Sequence, residues 1–136
     1  MHVLLRGLAN AGWLLGLVLL AGCGADEEKL YRVSGMVTYD GKPIPKGLIF
    51  FDPDASKGTD GRQGFANIIN GKYDTAEDGQ GVRGGAYSVR VNGFDGVEAN
   101  EAPFGQALFP EYTGAAALPK ADSTYDLNVP MAPKAF

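Results

Sequence analysis

From Tyr31 onward, apolar side chains recur at every second position, and no segment carries an apolar stripe at helical spacing. Tyr31, Val33, Val37 and Tyr39 alternate with Arg32, Ser34 and Thr38, with Gly35 in the register of the valines. A period of two puts alternate side chains on opposite faces of a half-buried strand. Asp40-Gly41 then marks a turn. Lys42-Pro43-Ile44-Pro45-Lys46-Gly47 is a constrained connection, because each proline fixes its own φ and lacks an N–H. Leu48 to Phe51 reads as a second strand ended by Asp52-Pro53, and Gly64 to Ile69 as a third. Asn70-Gly71 is the strongest hairpin signal in the chain, and it leads into a short fourth strand, Lys72 to Thr75. Tyr87, Val89 and Val91 alternate with Ser88, Arg90 and Asn92 in a fifth, and Tyr125, Leu127 and Val129 with Asp126 and Asn128 in a last one. With 20 Gly and 8 Pro in 136 residues, the composition by itself would allow disorder. The alternation outweighs it, and short strands between glycine and proline turns predict an all-β sandwich. Gly93 to Ser123 holds no predicted strand. Its Phe104, Leu108, Phe109, Tyr112 and Leu118 suit an ordered excursion packed back on the sheet, with short strands or a turn of helix near Phe104 to Phe109. Long loops are frequent sites of binding; covering a sheet edge is an equally good reading.

The N-terminus has a different character. Arg6, with His2, precedes an apolar run from Leu8 to Ala21, densest at Trp13 to Leu20. That core is short for a membrane span, which needs roughly 20 apolar residues. A charged start, a short apolar middle and small residues at the exit are the parts of a helical secretory signal. The exit, Leu20-Ala21-Gly22-Cys23, resembles the lipobox of bacterial lipoproteins at every position. The resemblance implies that the thiol of Cys23 receives a diacylglyceryl group carrying palmitate-type chains, with cleavage before Cys23 and acylation of its amine to follow. Two acyl chains anchor stably where one is marginal. The expected organisation is a signal over 1–22, an acidic tether over 23–29 containing Asp26-Glu27-Glu28, and one domain over 30–136. Gly24 lacks the aspartate that retains lipoproteins in the inner membrane of some bacteria, which favours the outer membrane.

Charge and residue inventory narrow the chemistry. Loss of Arg6 with the signal takes one of the 12 Lys and Arg and none of the 16 Asp and Glu, leaving a net charge of about −5. That balance argues against nucleic acid as a partner and against electrostatic docking on anionic lipid. His2 is the only histidine and Cys23 the only cysteine. Once the signal is removed and Cys23 acylated, Ser-His and Cys-His catalysis and zinc sites built from His or Cys are unavailable. No intramolecular disulfide can form. No cofactor is implied, and a non-catalytic protein is expected. Asp52, Asp54, Ser56 and Asp60 place oxygens at alternating positions, as calcium loops do. However, Lys57 stands where such loops need glycine, Gln63 where they need a bidentate glutamate, and Pro53 interrupts the run. A solvated hairpin loop of Asx-type turns is the favoured reading. Gly79 to Gly85 is glycine-rich, but no helix follows to aim its dipole at a phosphate.

Val33-Ser34-Gly35-Met36-Val37 through Asp40-Gly41-Lys42-Pro43-Ile44-Pro45-Lys46-Gly47 to Phe51 resembles the opening of carboxypeptidase regulatory-like domains. Gly85-Ala86-Tyr87-Ser88-Val89-Arg90-Val91 is similar to a later strand of the same domains, and Leu108 to Tyr112 with Ser123 to Val129 to their close in small lipoproteins. The resemblance implies a seven-stranded, transthyretin-like (prealbumin-like) Greek-key β-sandwich, usually non-catalytic. In that frame Gly35 marks a close approach, Gly41 and Gly47 supply backbone angles other residues avoid, and Tyr39, Phe51, Tyr73 and Tyr87 are core aromatics. Two functional expectations follow. The first is a membrane-anchored structural or protein-interaction module of the cell envelope. The second is a carbohydrate- or small-ligand-binding module, calcium-assisted, using the loop aromatics Phe104 and Tyr112.

Overall fold

Two tight turns set the register of the sheet. Asp40 and Gly41 have φ of 50° and 75°, and Asn70 and Gly71 of 50° and 78°. Paired left-handed residues form the type I′ turn, whose twist matches that of the flanking strands. The first joins β1 (Val33–Tyr39) to β2 (Lys42–Pro43), and the second joins β4 (Gly64–Ile69) to β5 (Lys72–Asp74). The remaining strands are β3 (Lys46–Pro53), β6 (Gly85–Phe94), β7 (Tyr112–Leu118), β8 (Ser123–Thr124) and β9 (Leu127–Val129). One turn of helix, α1 (Thr75–Asp78), follows β5. The structure, a computed structural model, describes residues 28–131. The signal segment, Cys23 and the start of the tether lie outside the described residues.

Nine strands hydrogen-bond into one sheet in the order β2-β1-β5-β4-β3-β6-β7, with β8 and β9 also on β1. The sheet curls into a half-barrel. Pairing is antiparallel except where β8 and β9 run parallel to β1. The expected fold class is met as an all-β domain, but its strands are not divided between two separate hydrogen-bonded sheets. The reason is β1. Its first half pairs with β5 on one side and β8 on the other, and its second half with β2 and β9. One strand thereby staples together elements that would otherwise form two layers.

The concave side holds the core. Val33, Val37, Ile49, Phe51, Val89 and Val91 are all fully buried, as the alternation requires. Ile44, held between Pro43 and Pro45, is also fully buried and plugs the core from the β2–β3 connection. Val129 of β9 and Leu118 of β7, from opposite ends of the sheet, belong to the same apolar cluster. Phe51, Tyr73 and Tyr87 are buried core aromatics, and Tyr39 is half-buried with its ring 4.8 Å from that of Phe109.

The strandless reading of 93–123 needs correction. β7 lies inside it and pairs with β6 over seven consecutive residues, from Gly85↔Leu118 to Val91↔Tyr112. Its sequence, Tyr-Thr-Gly-Ala-Ala-Ala-Leu, carries little intrinsic strand preference; the pairing surface offered by β6 supplies what propensity does not. Phe104 to Phe109 forms neither helix nor strand, only an isolated bridge from Ala107 to Phe94. The last predicted strand is also broken. Between β8 and β9 the Asp126 carboxylate, not a backbone carbonyl, accepts from the Met36 N–H at 2.8 Å.

Gly35 lies where the Tyr125 carbonyl approaches, and a Cβ there would collide with that oxygen and with Asp126. Gly41 has a left-handed φ and open space around it. Gly47 differs from expectation: its φ is ordinary, and it is needed because the Asn92 carbonyl of β6 occupies the place of its Cβ. Gly35→Ala is therefore expected to lower stability by about 3 kcal/mol, since backbone must move. Gly41→Ala is expected to cost only about 1 kcal/mol, the strain of a left-handed alanine. Urea unfolding of the two variants checks the ranking, and equal losses would contradict it.

Candidate functional site

The outward face of β1, β5 and β4 does not follow the polar rule that its inward face implies. Ile69 is 56% exposed and Phe65 36% exposed, both at outward positions of β4. Met36 of β1 stands opposite Lys72 of β5, which in turn pairs with Ile69 of β4. Exposed apolar groups gathered in one place, not scattered singly, point to a contact surface. Met36 and Ile69 line a shallow groove of about 460 Å³ together with Lys72, bordered by Asp74, Glu77, Asp78 and Asp126, and Phe65 lies outside it.

Most of these carboxylates are already engaged. Asp74 receives the Arg32 guanidinium at 2.9 and 3.0 Å through Nε and again through Nη2. It also caps α1 by accepting from the Ala76 N–H at 3.0 Å. The Arg32 hydrogen bonds hold the Asp74 carboxyl below the usual carboxylate range. Asp78 accepts from the Asn67 amide at 3.0 Å, and Asp126 is tied to Met36 N. Glu77 has no hydrogen-bond or ion-pair partner among the described residues. Four carboxylates against one lysine, beside the apolar Met36 and Ile69, suit a segment that inserts an apolar side chain and carries cations beside it.

The candidate calcium ligands are drawn apart. Asp52 is gripped by Arg90, whose Nε lies 2.5 Å from Oδ2. It also accepts from the Gln63 amide at 2.5 Å. Asp54 folds back to accept from the Ser56 N–H at 3.1 Å and its hydroxyl at 2.5 Å, capping a short 3-10 turn over Ala55–Lys57. Asp60 meets Arg83 at 3.1 Å. Among the described residues no three Asp, Glu, His or Cys side chains stand together as a metal site. The two arginines hold the carboxylates that a cation would need.

Of the two aromatics expected on loops, Tyr112 is the first residue of β7 and packs half-buried against the core. Phe104 is on a loop and 44% exposed, with its ring 5.7 Å from that of Phe94. The two do not form a joint stacking platform, because Tyr112 faces inward. Cys23 is outside the described residues.

No protein-family profile matches this chain, and no curated protein matches it either. Function has to be read from the surface itself. The groove escaped the sequence reading because alternation was used only to find the core. Its signal was the pair Ile68-Ile69, where alternation demands a polar residue at the second position.

A second outward cluster stabilises the neighbouring part of the sheet. Arg90 of β6 stacks 4.7 Å from the Phe50 ring centre while bonding Asp52, and reaches Glu111 at 3.4 Å. The Arg90 hydrogen bond, then that of Gln63, lowers the Asp52 pKa against an opposing effect of burial. Because the folded value lies below the unfolded one, this contribution is complete above the unfolded carboxylate range near pH 4. It is lost as pH falls through the folded value. Stability should be flat from neutral pH down to about pH 5 and fall below about pH 4. Asp52→Asn should cost about 1 kcal/mol at neutral pH and flatten the acid fall. Denaturant unfolding across that range reads both, and an unchanged acid slope would reject the assignment.

Proposed function

We propose that this chain is a non-catalytic bacterial lipoprotein, anchored through Cys23, whose β-domain serves as a structural or protein-interaction module of the cell envelope. The observation that carries the reading is Leu20-Ala21-Gly22-Cys23 at the exit of a short apolar run, just before the first charges. Residue inventory supports the non-catalytic part: His2 departs with the signal, and acylation consumes the only thiol. The all-β domain agrees in class with a carboxypeptidase regulatory-like, transthyretin-like Greek-key sandwich, which is the finer fold we propose. Outer-membrane placement is favoured by Gly24 following the cysteine. The groove of Met36 and Ile69 with its acidic rim is the surface on which we place the partner.

In cells fed an alkyne analogue of palmitate, the wild-type chain should take up label and appear cleaved at Cys23, and Cys23→Ala should do neither. An uncleaved, unlabelled wild-type chain would end the lipoprotein reading. In-cell cross-linking should then capture an envelope protein that is lost when Ile69→Lys places a cation on the groove floor. Capture unaffected by that change would move the contact elsewhere on the domain.

A further inference from the structure

The Gly79–Gly85 run, which fails as a phosphate loop for want of a helix, has another use in the fold. Gly84 and Gly85 have φ of 91° and 121°, and they form the floor of a pocket of about 470 Å³ at the start of β6. Neither can carry a side chain: a Cβ on Gly84 would lie 2.8 Å from Lys120 Cγ, and one on Gly85 2.8 Å from the Thr59 hydroxyl. The missing Cβ atoms make room for Lys120 and Thr59, which are thereby brought against the backbone at the pocket.

Four of the chain's 12 cationic side chains line this pocket: Lys29, Lys57, Arg83 and Lys120. They come from four separate places: the segment before β1, the 3-10 turn, the approach to β6 and the exit of β7. The fold, not a basic run in the sequence, gathers them. Arg83 is held by Glu28 at 3.3 Å and Asp60 at 3.1 Å, with its Nη2 left without a partner among the described residues, and the Lys29 ammonium lies 5.4 Å from the centre of the Tyr31 ring. Lys29, Lys57 and Lys120 form no ion pair among the described residues. Thr59 is 8% exposed. Its oxygen accepts from the Ala86 N–H at 2.9 Å, so the hydroxyl is fixed while its proton remains to be donated. Among the described residues, four cations against two carboxylates leave a local excess of positive charge in a chain of net charge −4. At physiological salt the acidic remainder is screened beyond about 8 Å, so the local charges govern what the pocket holds.

The geometry points to an anion-binding site for a phosphate group, bounded by Lys29, Lys57, Arg83 and Lys120 over the Gly84-Gly85 floor, with Thr59 as a hydroxyl donor. Charge-assisted bonds from several donors are the usual means of holding such a group. A free phosphate-bearing solute and the phosphodiester of an anionic lipid headgroup share this chemistry. The inference does not need the anchor at Cys23: palmitate labelling reads the anchor, and phosphate binding reads the pocket.

The test uses the full chain in neutral detergent, with backbone amide shifts followed by NMR. Titration with inorganic phosphate at constant ionic strength should give saturable shifts at Thr59, Gly84 and Gly85 that sodium chloride does not give. Lys57→Gln with Lys120→Gln, both exposed and without structural partners, should weaken binding by about tenfold or more. Lys42→Gln with Lys46→Gln, in β2 and at the start of β3 and absent from the pocket lining, should leave it unchanged. A second arm replaces phosphate with bicelles containing phosphatidylglycerol, against phosphatidylcholine bicelles. Lysine-dependent shifts at the same amides with the anionic bicelles assign the site to a lipid headgroup; shifts with phosphate alone assign it to a soluble ligand. No saturable, lysine-dependent shift in either arm, or an equal response to chloride, overturns the proposal.

Discussion

The approach of the Tyr125 carbonyl to the face of Gly35 is the constraint on which the rest of the domain depends. It lets the C-terminal segment lie against β1, and β1 is the strand that joins both branches of the sheet. At that point the last strand breaks into β8 and β9, which leaves backbone groups to be satisfied by other means. The Tyr73 hydroxyl donates to the Tyr125 carbonyl at 2.5 Å, and Asp126 takes the Met36 N–H. Below the break, Asn128 accepts from the Thr38 hydroxyl at 2.8 Å and from the Gly41 N–H at 3.0 Å. Side chains thus finish a ladder that backbone alone leaves open, as buried polar groups require. The burial of Tyr73 that this geometry demands also raises its hydroxyl pKa, which keeps it a donor at any ordinary pH.

How much of this was legible in the sequence follows from which interactions are local. The two type I′ turns were, because Asp-Gly and Asn-Gly fix left-handed angles without outside help. The inward faces of β1 and β6 were, because each alternates apolar residues over several positions, whereas the unbroken run Leu48 to Phe51 marked β3 as a strand without showing which side faces in. β7 was not. Gly114, Ala115, Ala116 and Ala117 prefer no state strongly, and their strand exists only because β6 presents seven residues to pair with. Gly47 was recognised as obligatory for the wrong reason: its need arises from Asn92, which lies 45 residues away in the chain, and no local angle reveals that. The partners of the candidate calcium ligands were hidden in the same manner, since Arg90 and Arg83 reach Asp52 and Asp60 only through the tertiary fold.

The same distinction separates the two faces of the sheet. The concave side is occupied by a continuous apolar cluster, so binding is left to the outward face and the rims. There each cavity carries an excess of one sign with one opposite charge in its lining, Lys72 in the groove and Asp60 in the glycine-lined pocket. Carboxylates of β5, α1 and the β8–β9 break border the groove, while cations of four segments line the glycine-floored pocket. Neither arrangement comes from a run of like charge in the chain. Each is assembled by strand order, and net charge alone would have concealed both.

That arrangement bears on how an anchored domain would meet its surroundings. Glu28 is the first described residue, and it is already fixed to Arg83, with Arg62 at 3.9 Å. The point where the tether enters the domain is thus beside the basic pocket, since Arg83 belongs to both. If Cys23 carries the lipid, four residues separate it from Glu28, and a chain so short spans at most about 20 Å. The pocket would then be held within reach of the headgroups, where weak phosphate contacts gain from high effective concentration. The Arg83 ion pairs would set the orientation of the domain against its tether, and the lipid only its height. An anchor at Cys23 and the pocket would be separate in chemistry, yet the Glu28–Arg83 contact would couple them in geometry.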